Sequence, residues 1–169
     1  SVTAVMETRK CIQSQGKSLV ELSQQDIISC DPNNHKCGGD RLDNTYKFLE
    51  REGTVSLQCK PYESERGTAP LCVRSCRNPN LMYNKIKARA GSWRFLPTIN
   101  DIKTEIYTNG PVSAGMATYE DFQFYKGDIY IHTTGRQTDH HAVVILGWGY
   151  DQRYQSEYWI LRNSWGPSW

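Results

Sequence analysis

The sequence lacks a long apolar run, an internal repeat and an excess of charge of either sign. A membrane-spanning helix needs about 18 to 20 consecutive, mainly apolar residues, and no stretch of the chain approaches that length. The 20 basic and 18 acidic residues leave a net charge of +2, which gives no electrostatic case for binding nucleic acid. The first residues have neither the basic start nor the apolar stretch of a signal peptide. We therefore expect neither a membrane nor a nucleic acid among the partners of the chain.

The residues that are present are typical of one globular domain. The 169 residues are 38% hydrophobic and include five Trp, ten Tyr and four Phe, which is enough apolar material for a sizeable core. The chain starts without Met and stops at Trp169, so we interpret it as a piece of a longer protein, truncated at both ends.

Helical patterns fill the first half of the chain and strand patterns fill the second. The predicted helices cover residues up to 14, 24–29, 43–51 and 101–107, and the predicted strands cover 112–118, 128–132, 142–148 and 158–162. Ser23 is the expected N-cap of the second helix and Asn100 that of the fourth. The pattern predicts an α+β fold in a single domain over 1–169. Within it we expect a helical subdomain over about 1–85 and a strand-rich subdomain over about 86–169.

Six cysteines in a domain of this size indicate either an oxidising compartment or a metal site. A structural zinc site usually offers two close cysteine pairs, or one such pair with a pair of histidines. Cys72 and Cys76 are the one close pair of that type, and His35 is the histidine nearest to the cysteine-rich segments. This spacing favours disulfides over zinc. Because six cysteines allow about 15 pairings, counting alone does not identify the partners.

Two apolar strand patterns are flanked by polar residues that can act together. His140 and His141 precede one of them, and Asn163 follows the next, with Trp165 two residues later. Adjacent histidines are often a simple solvated pair, and an Asn after a strand is often a turn residue. Together they also suit a catalytic site, because a side-chain amide can hold an imidazole in one tautomer and a nearby indole can exclude water.

These segments, with several others, resemble the papain-like cysteine peptidases, and within them the cathepsin B-like group. The resemblance rests on the segments 22–31, 37–39, 59–62, 72–76, 105–112, 119–126, 141–149 and 158–166, which span nearly the whole chain. It implies a papain-like fold of two subdomains, one helical and one resembling a β-barrel. It also implies hydrolysis of polypeptide substrates without a metal or organic cofactor, a lysosomal or secreted location, and activation by removal of a propeptide.

The resemblance also assigns catalytic roles to particular residues. His141 is the expected general base and imidazolium partner of a thiolate, Asn163 orients it, and Trp165 covers their contact. By alignment with the family motif, the nucleophilic cysteine stands four residues before Ser1, so none of the six cysteines present is that nucleophile. His140, next to the base, either perturbs it or is simply solvated.

Further assignments concern substrate binding and disulfides. The family turn that binds the substrate backbone corresponds to Gly38, Gly39 and Asp40, and Met116 and Ala142 are expected to line a specificity pocket. Asp40 replaces a glycine of the family pattern, so it either crowds the substrate or leaves this role to the two glycines. The resemblance implies the disulfides Cys30–Cys72 and Cys59–Cys76, and pairing of Cys11 and Cys37 with cysteines upstream of Ser1.

Two functions follow from these features. Only residues 60–71 lie between Cys59 and Cys72, which is too short for the histidine-bearing occluding loop of cathepsin B and favours an endopeptidase. The alternative is an inactive homologue with a structural or protein-binding role, similar to the tubulointerstitial nephritis antigen group, in which Ser replaces the nucleophile. Asp40 favours this second interpretation.

Overall fold

The computed structural model describes residues 1–166 and 169, which form two compact units. One unit is Val2–Leu96, and the other is Pro97–Trp169 together with Ser1. The helices are α1 (Val2–Gln13), α2 (Gln24–Cys30), α3 (Leu42–Arg51) and α4 (Ile99–Asn109), with short 3₁₀ helices at Lys36–Gly38 and Glu120–Phe124. The strands are β1 (Val112–Tyr119), β2 (Gln137–Asp151) and β3 (Ser156–Arg162). This order of helices and strands confirms the predicted α+β class.

The first unit is built on α1, α2 and α3, whose apolar faces share one core. Val2, Ile27, Phe48 and Leu49 are its buried residues. The predicted cap of α2 is confirmed, because Ser23 Oγ accepts a hydrogen bond from the backbone N–H of Asp26 at 3.0 Å. Burial of these side chains is the main force that holds the three helices together.

The fourth helix begins earlier than predicted. Its N-cap is Thr98 rather than Asn100, and α4 starts at Ile99. Thr98 Oγ1 accepts from the N–H of Asp101, and the Asp101 carboxylate accepts from the N–H of Thr98. This reciprocal capping box satisfies two free donors of the first turn, which explains why the helix starts at this point.

The second unit contains an antiparallel sheet in the order β1-β2-β3. Val143, Val144 and Ile145 in the middle of β2 are buried, which makes this strand the apolar centre of the unit. In the part of the chain that the structure describes, the three strands form an open sheet rather than a closed barrel. The expectation of a barrel-like half is corrected to that extent.

Two strand predictions were wrong in detail. Residues 128–132 form no strand, and the Tyr130 hydroxyl and the His132 ring of this segment bind the Asp121 carboxylate instead. The histidine-bearing strand starts at Gln137 instead of at residue 142. His140 and His141 therefore lie within β2 and not before it.

None of the helices in 1–166 is both long enough and apolar enough to cross a membrane.

Candidate active site

β2 holds His141 on a well-paired stretch of the sheet. His141 lies opposite Met116 of β1, in an unbroken antiparallel register that also pairs Gly115 with Ala142. Successive side chains of a strand point to opposite faces. His141 is half-buried, whereas His140 on the other face is exposed. The two adjacent imidazoles therefore have different surroundings.

Asn163 reaches His141 because of the pairing between β2 and β3. Arg162 lies opposite Val144, so the next residue, Asn163, falls beside the part of β2 that carries His141. Asn163 Oδ1 lies 2.7 Å from His141 Nε2 and also accepts the N–H of Ser164 at 2.7 Å. An amide oxygen only accepts hydrogen bonds, so Nε2 carries the hydrogen and Nδ1 is the basic nitrogen of the neutral ring.

Trp165 places an indole beside this hydrogen bond. Its ring centroid is 5.0 Å from that of His141, with 38° between the planes. Trp165 also makes edge-to-face contacts with Phe122 and Trp169, with ring centroids 5.4 and 5.1 Å apart. Phe122 is buried and gives the indole a fixed apolar support. The imidazole is thus bordered by an amide on one side and by an aromatic cluster on another.

The residues expected to bind the substrate backbone lie in the first unit. Lys36–Gly38 is a 3₁₀ helix, and Gly39 follows it with φ of 88°, a conformation that glycine adopts without strain. The Asp40 carboxylate accepts hydrogen bonds from Asn44 Nδ2 at 3.0 Å and Thr45 Oγ1 at 3.4 Å. Its charge is therefore held against α3.

Met116 and Ala142 do not share a face of the sheet. Met116 is opposite His141, and Ala142 is opposite Gly115, so alternation sends their side chains to opposite sides. The β1 residue directly opposite Ala142, and therefore on its face, is Gly115, and both are exposed. The structure therefore does not bring the two proposed pocket residues together.

Two disulfides stabilise the first unit, Cys30–Cys72 and Cys59–Cys76. The predicted disulfide bonding is confirmed, and among the described residues no cluster of three or more metal-binding side chains occurs. Cys11 and Cys37 are free thiols in this chain, half-buried and exposed respectively.

A comparison of sequences decides the family. A sequence profile described as "Papain family cysteine protease" matches residues 1–169. The chain belongs to the papain family of cysteine proteases. Its predicted resemblance to this family is thereby confirmed.

Papain-family relatives of the cathepsin B-like group are similar along the whole chain. Cathepsin B-like CP3 of Giardia intestinalis is 33% identical over 170 residues, which cover 100% of this chain and 56% of the relative. A tubulointerstitial nephritis antigen-like protein of Homo sapiens is 35% identical over 199 residues, covering 100% of this chain and 43% of the relative. The chain thus spans about half the length of these curated relatives.

Solved structures of papain-family proforms have the same fold. The proCathepsin B S9 structure from Trypanosoma congolense has a TM-score of 0.87 at 27% identity and covers 100% of this chain and 58% of that one. Procathepsin L 3 of Tenebrio molitor has a TM-score of 0.75 at 25% identity and covers 99% and 52% respectively. The papain-like fold predicted from the sequence is therefore confirmed.

Two acidic residues that accept many hydrogen bonds in this papain-family chain are not revealed by its sequence patterns. Asp26 is fully buried and pairs with two lysines, and Asp121 accepts hydrogen bonds from the loop before β2. Asp121 lies in one of the segments that carried the family resemblance, but that pattern does not reveal its partners. They come from residues 130–134, and only the folded loop brings them to the carboxylate.

Proposed function

We propose that the protein containing this chain is a cathepsin B-like cysteine endopeptidase, with a thiol nucleophile four residues before Ser1. The observation that carries this proposal is the 2.7 Å contact between His141 Nε2 and Asn163 Oδ1, bordered by Trp165. A thiol in that position lies about 140 residues before His141, within the ~130–150 residues typical of such enzymes.

In this mechanism His141 Nδ1 takes the proton of the thiol and forms a thiolate–imidazolium pair. The positive ring lowers the pKa of the thiol, so thiolate is present near neutral pH. The thiolate attacks the peptide carbonyl, and the imidazolium then protonates the leaving amine to give an acyl-enzyme. Water activated by the neutral imidazole hydrolyses that intermediate. Asn163 fixes the ring, and Trp165 shields the hydrogen bond from solvent.

The proposed substrate contacts follow the family pattern. Gly38 and Gly39 bind the backbone of an extended polypeptide, while Asp40 is turned toward α3 by its bonds to Asn44 and Thr45. Ala142 and Met116 remain proposed specificity residues on opposite faces of the sheet.

An endopeptidase rather than a carboxydipeptidase is favoured by the short segment between Cys59 and Cys72. Disulfides persist in oxidising compartments, which supports a lysosomal or secreted location. The similar solved structures are proforms, which supports a propeptide in the longer protein. No resident metal or cofactor is part of this proposal.

The test is hydrolysis of an internally quenched peptide by the full-length protein. His141→Ala should abolish turnover, because it removes the base, while His140→Ala should retain it, because that exposed ring lies on the other face of β2. A peptide blocked at its carboxyl terminus should be cleaved as well as a free one. Turnover that survives His141→Ala, or that requires a free carboxyl terminus, contradicts the proposal.

A second candidate function is a catalytically inactive, protein-binding homologue. The similarity to a tubulointerstitial nephritis antigen-like protein, at 35% identity over the whole chain, favours it. The residue four positions before Ser1 separates the two functions. A serine there, with peptide binding but no hydrolysis, supports the inactive homologue.

A further inference from the structure

In the loop between β1 and β2, the carboxylate of Asp121 accepts several hydrogen bonds from residues 130–134. β1 ends at Tyr119 and β2 begins at Gln137, and the loop between them, residues 120–136, supplies Phe122 of the aromatic cluster beside His141. At the loop's base Glu120 N–H donates to the Arg136 carbonyl at 3.1 Å. The loop therefore leaves and rejoins the sheet at one point, close in sequence to His141.

Asp121 is surrounded by hydrogen-bond donors from the far end of this loop. It accepts the Tyr130 hydroxyl at 2.6 Å and the N–H groups of Thr133 and Thr134 at 2.9 and 3.1 Å. His132 Nδ1 lies 3.1 Å from both carboxylate oxygens, and its ring stacks on Tyr119 with centroids 3.7 Å apart. The hydrogen bond from Tyr130, followed by the one from Thr133, holds the pKa of Asp121 well below its usual range.

A continuous series of contacts leads from this carboxylate to the imidazole. The Tyr130 ring meets Phe122 edge-on at 4.9 Å. Phe122 is only 6% exposed and meets the edge of Trp165 at 5.4 Å, and Trp165 lies 5.0 Å from His141. Edge-to-face aromatic contacts have a preferred geometry. A displacement of Tyr130 therefore changes the packing of Phe122 and, through it, of Trp165.

We propose that Asp121 is a positioning residue for the imidazole of His141, acting through Tyr130, Phe122 and Trp165. The catalytic consequence of this inference rests on the proposed function, whereas the positioning of the ring does not. By anchoring the loop, Asp121 keeps the indole beside the His141–Asn163 hydrogen bond, where the excluded water would otherwise compete for the amide oxygen.

Asp121→Asn is the decisive variant. The carboxylate offers only acceptors to the surrounding donor groups, whereas an amide replaces one acceptor oxygen with two N–H donors. The variant removes the negative charge and one of the two acceptor oxygens with little change in shape, so at least one of the bonds from Tyr130, Thr133 and Thr134 is lost or reversed. Asp151→Asn is the matched control, since the Asp151 carboxylate likewise accepts several hydrogen bonds, from Arg153, and lies on β2 like His141.

The first measurement follows exchange of the His141 Nε2 proton with water by NMR of the full-length protein labelled with ¹⁵N-histidine. His141→Ala assigns the resonance. Asp121→Asn should speed this exchange about tenfold, because water reaches the Nε2 proton more often when the Trp165 indole is held less firmly. Asp151→Asn should leave it within about twofold of the parent. In kinetics, Asp121→Asn should lower kcat/KM about tenfold, because a misplaced base is a costly loss of orientation.

Tyr130→Phe separates positioning from folding. It keeps the ring against Phe122 but removes the hydroxyl bond to Asp121, so it should shift the exchange rate in the same direction by about threefold. Should Asp121→Asn fail to fold, this variant decides. Exchange rates in both variants equal to those of Asp151→Asn would overturn the inference. If the full-length protein hydrolyses no peptide, the proposed function fails, whereas the NMR measurement still decides on Asp121.

Discussion

Replacing the buried carboxylate of Asp26 tests how the first unit is stabilised. Asp26 has no exposed surface, and its oxygens accept from Lys60 Nζ at 2.9 Å, Lys85 Nζ at 2.8 Å and the Tyr83 hydroxyl at 2.8 Å. The side chains of the two lysines are only 12% and 21% exposed. Asp26→Asn would leave two ammonium groups in this site without the negative charge between them.

The expected loss follows from that burial. Removing one member of a buried ion pair typically costs about 3–5 kcal/mol of unfolding free energy. Lys85 also donates to the Gly53 carbonyl, and both lysines reach some solvent, so we expect about 3 kcal/mol, at the lower end of that range. Since domains are stable by only about 5–15 kcal/mol, this loss is a large fraction of the total.

Urea denaturation at pH 7, with the disulfides oxidised, measures this change. Asp43→Asn is the matched control, because Asp43 also pairs with two cations, Arg41 and Lys47, but at the surface. The control should leave the urea midpoint almost unchanged, since exposed ion pairs contribute little.

The same experiment at lower pH tests the direction in which folding shifts the pKa of Asp26. Burial raises the pKa of Asp26, but hydrogen bonds from Lys85, Lys60 and Tyr83 outweigh it, and the folded pKa is lowered. The contribution of Asp26 is therefore fully present above the unfolded pKa of about 3.9 and is lost as pH falls through the folded pKa. The difference between parent and variant should shrink below about pH 4. A loss under about 1 kcal/mol at pH 7, or one that grows in acid, would refute this reasoning.

Three further predictions concern single residues. Asn163→Ala should lower kcat/KM of the full-length protein by about 10- to 100-fold at unchanged melting temperature, because a hydrogen bond to a charged ring is worth about 1.5–3 kcal/mol. A loss of kcat/KM below about threefold would contradict the role of Asn163. Gly135→Ala should destabilise the fold by about 1–3 kcal/mol in thermal unfolding, since φ is 91° and a Cβ would lie 2.7 Å from that of Glu120; Gly67→Ala, with a positive φ but open space, should lose less. Asp40→Gly should lower the melting temperature, because the bonds to α3 are lost, yet leave KM for a peptide within about twofold; a clear fall in KM would show that Asp40 obstructs substrate.

Local patterns predicted most of the secondary structure. Ser23 was identified as a cap from residue type and position, and the same chemistry was present at Thr98 and Asp101, where the capping box was overlooked in favour of Asn100. The apolar run at 128–132 has the composition of a strand, but its Tyr130 and His132 side chains bind Asp121 in place of pairing with a strand. Composition carries no information on that competition.

The same limit applies to the proposed site residues. His141 lies within β2, and Asn163 and Trp165 follow the end of β3, in short motifs that could be recognised in the sequence. The supports could not be predicted from spacing, because Tyr130 and Phe122 act only through the folded loop, and Lys60 and Lys85 reach Asp26 from distant segments. Pairing in the sheet also revealed what spacing could not, namely that Met116 and Ala142 lie on opposite faces.

The most direct test of the account is labelling of the full-length protein with an epoxide thiol inhibitor, followed by peptide mass mapping across the segment before Ser1. We expect a single adduct on a cysteine four residues before Ser1, and its loss in His141→Ala, because the thiolate depends on the imidazolium. A residue other than cysteine at that position, or an adduct that forms equally well without His141, would contradict the claim that His141 and Asn163 serve a thiol nucleophile.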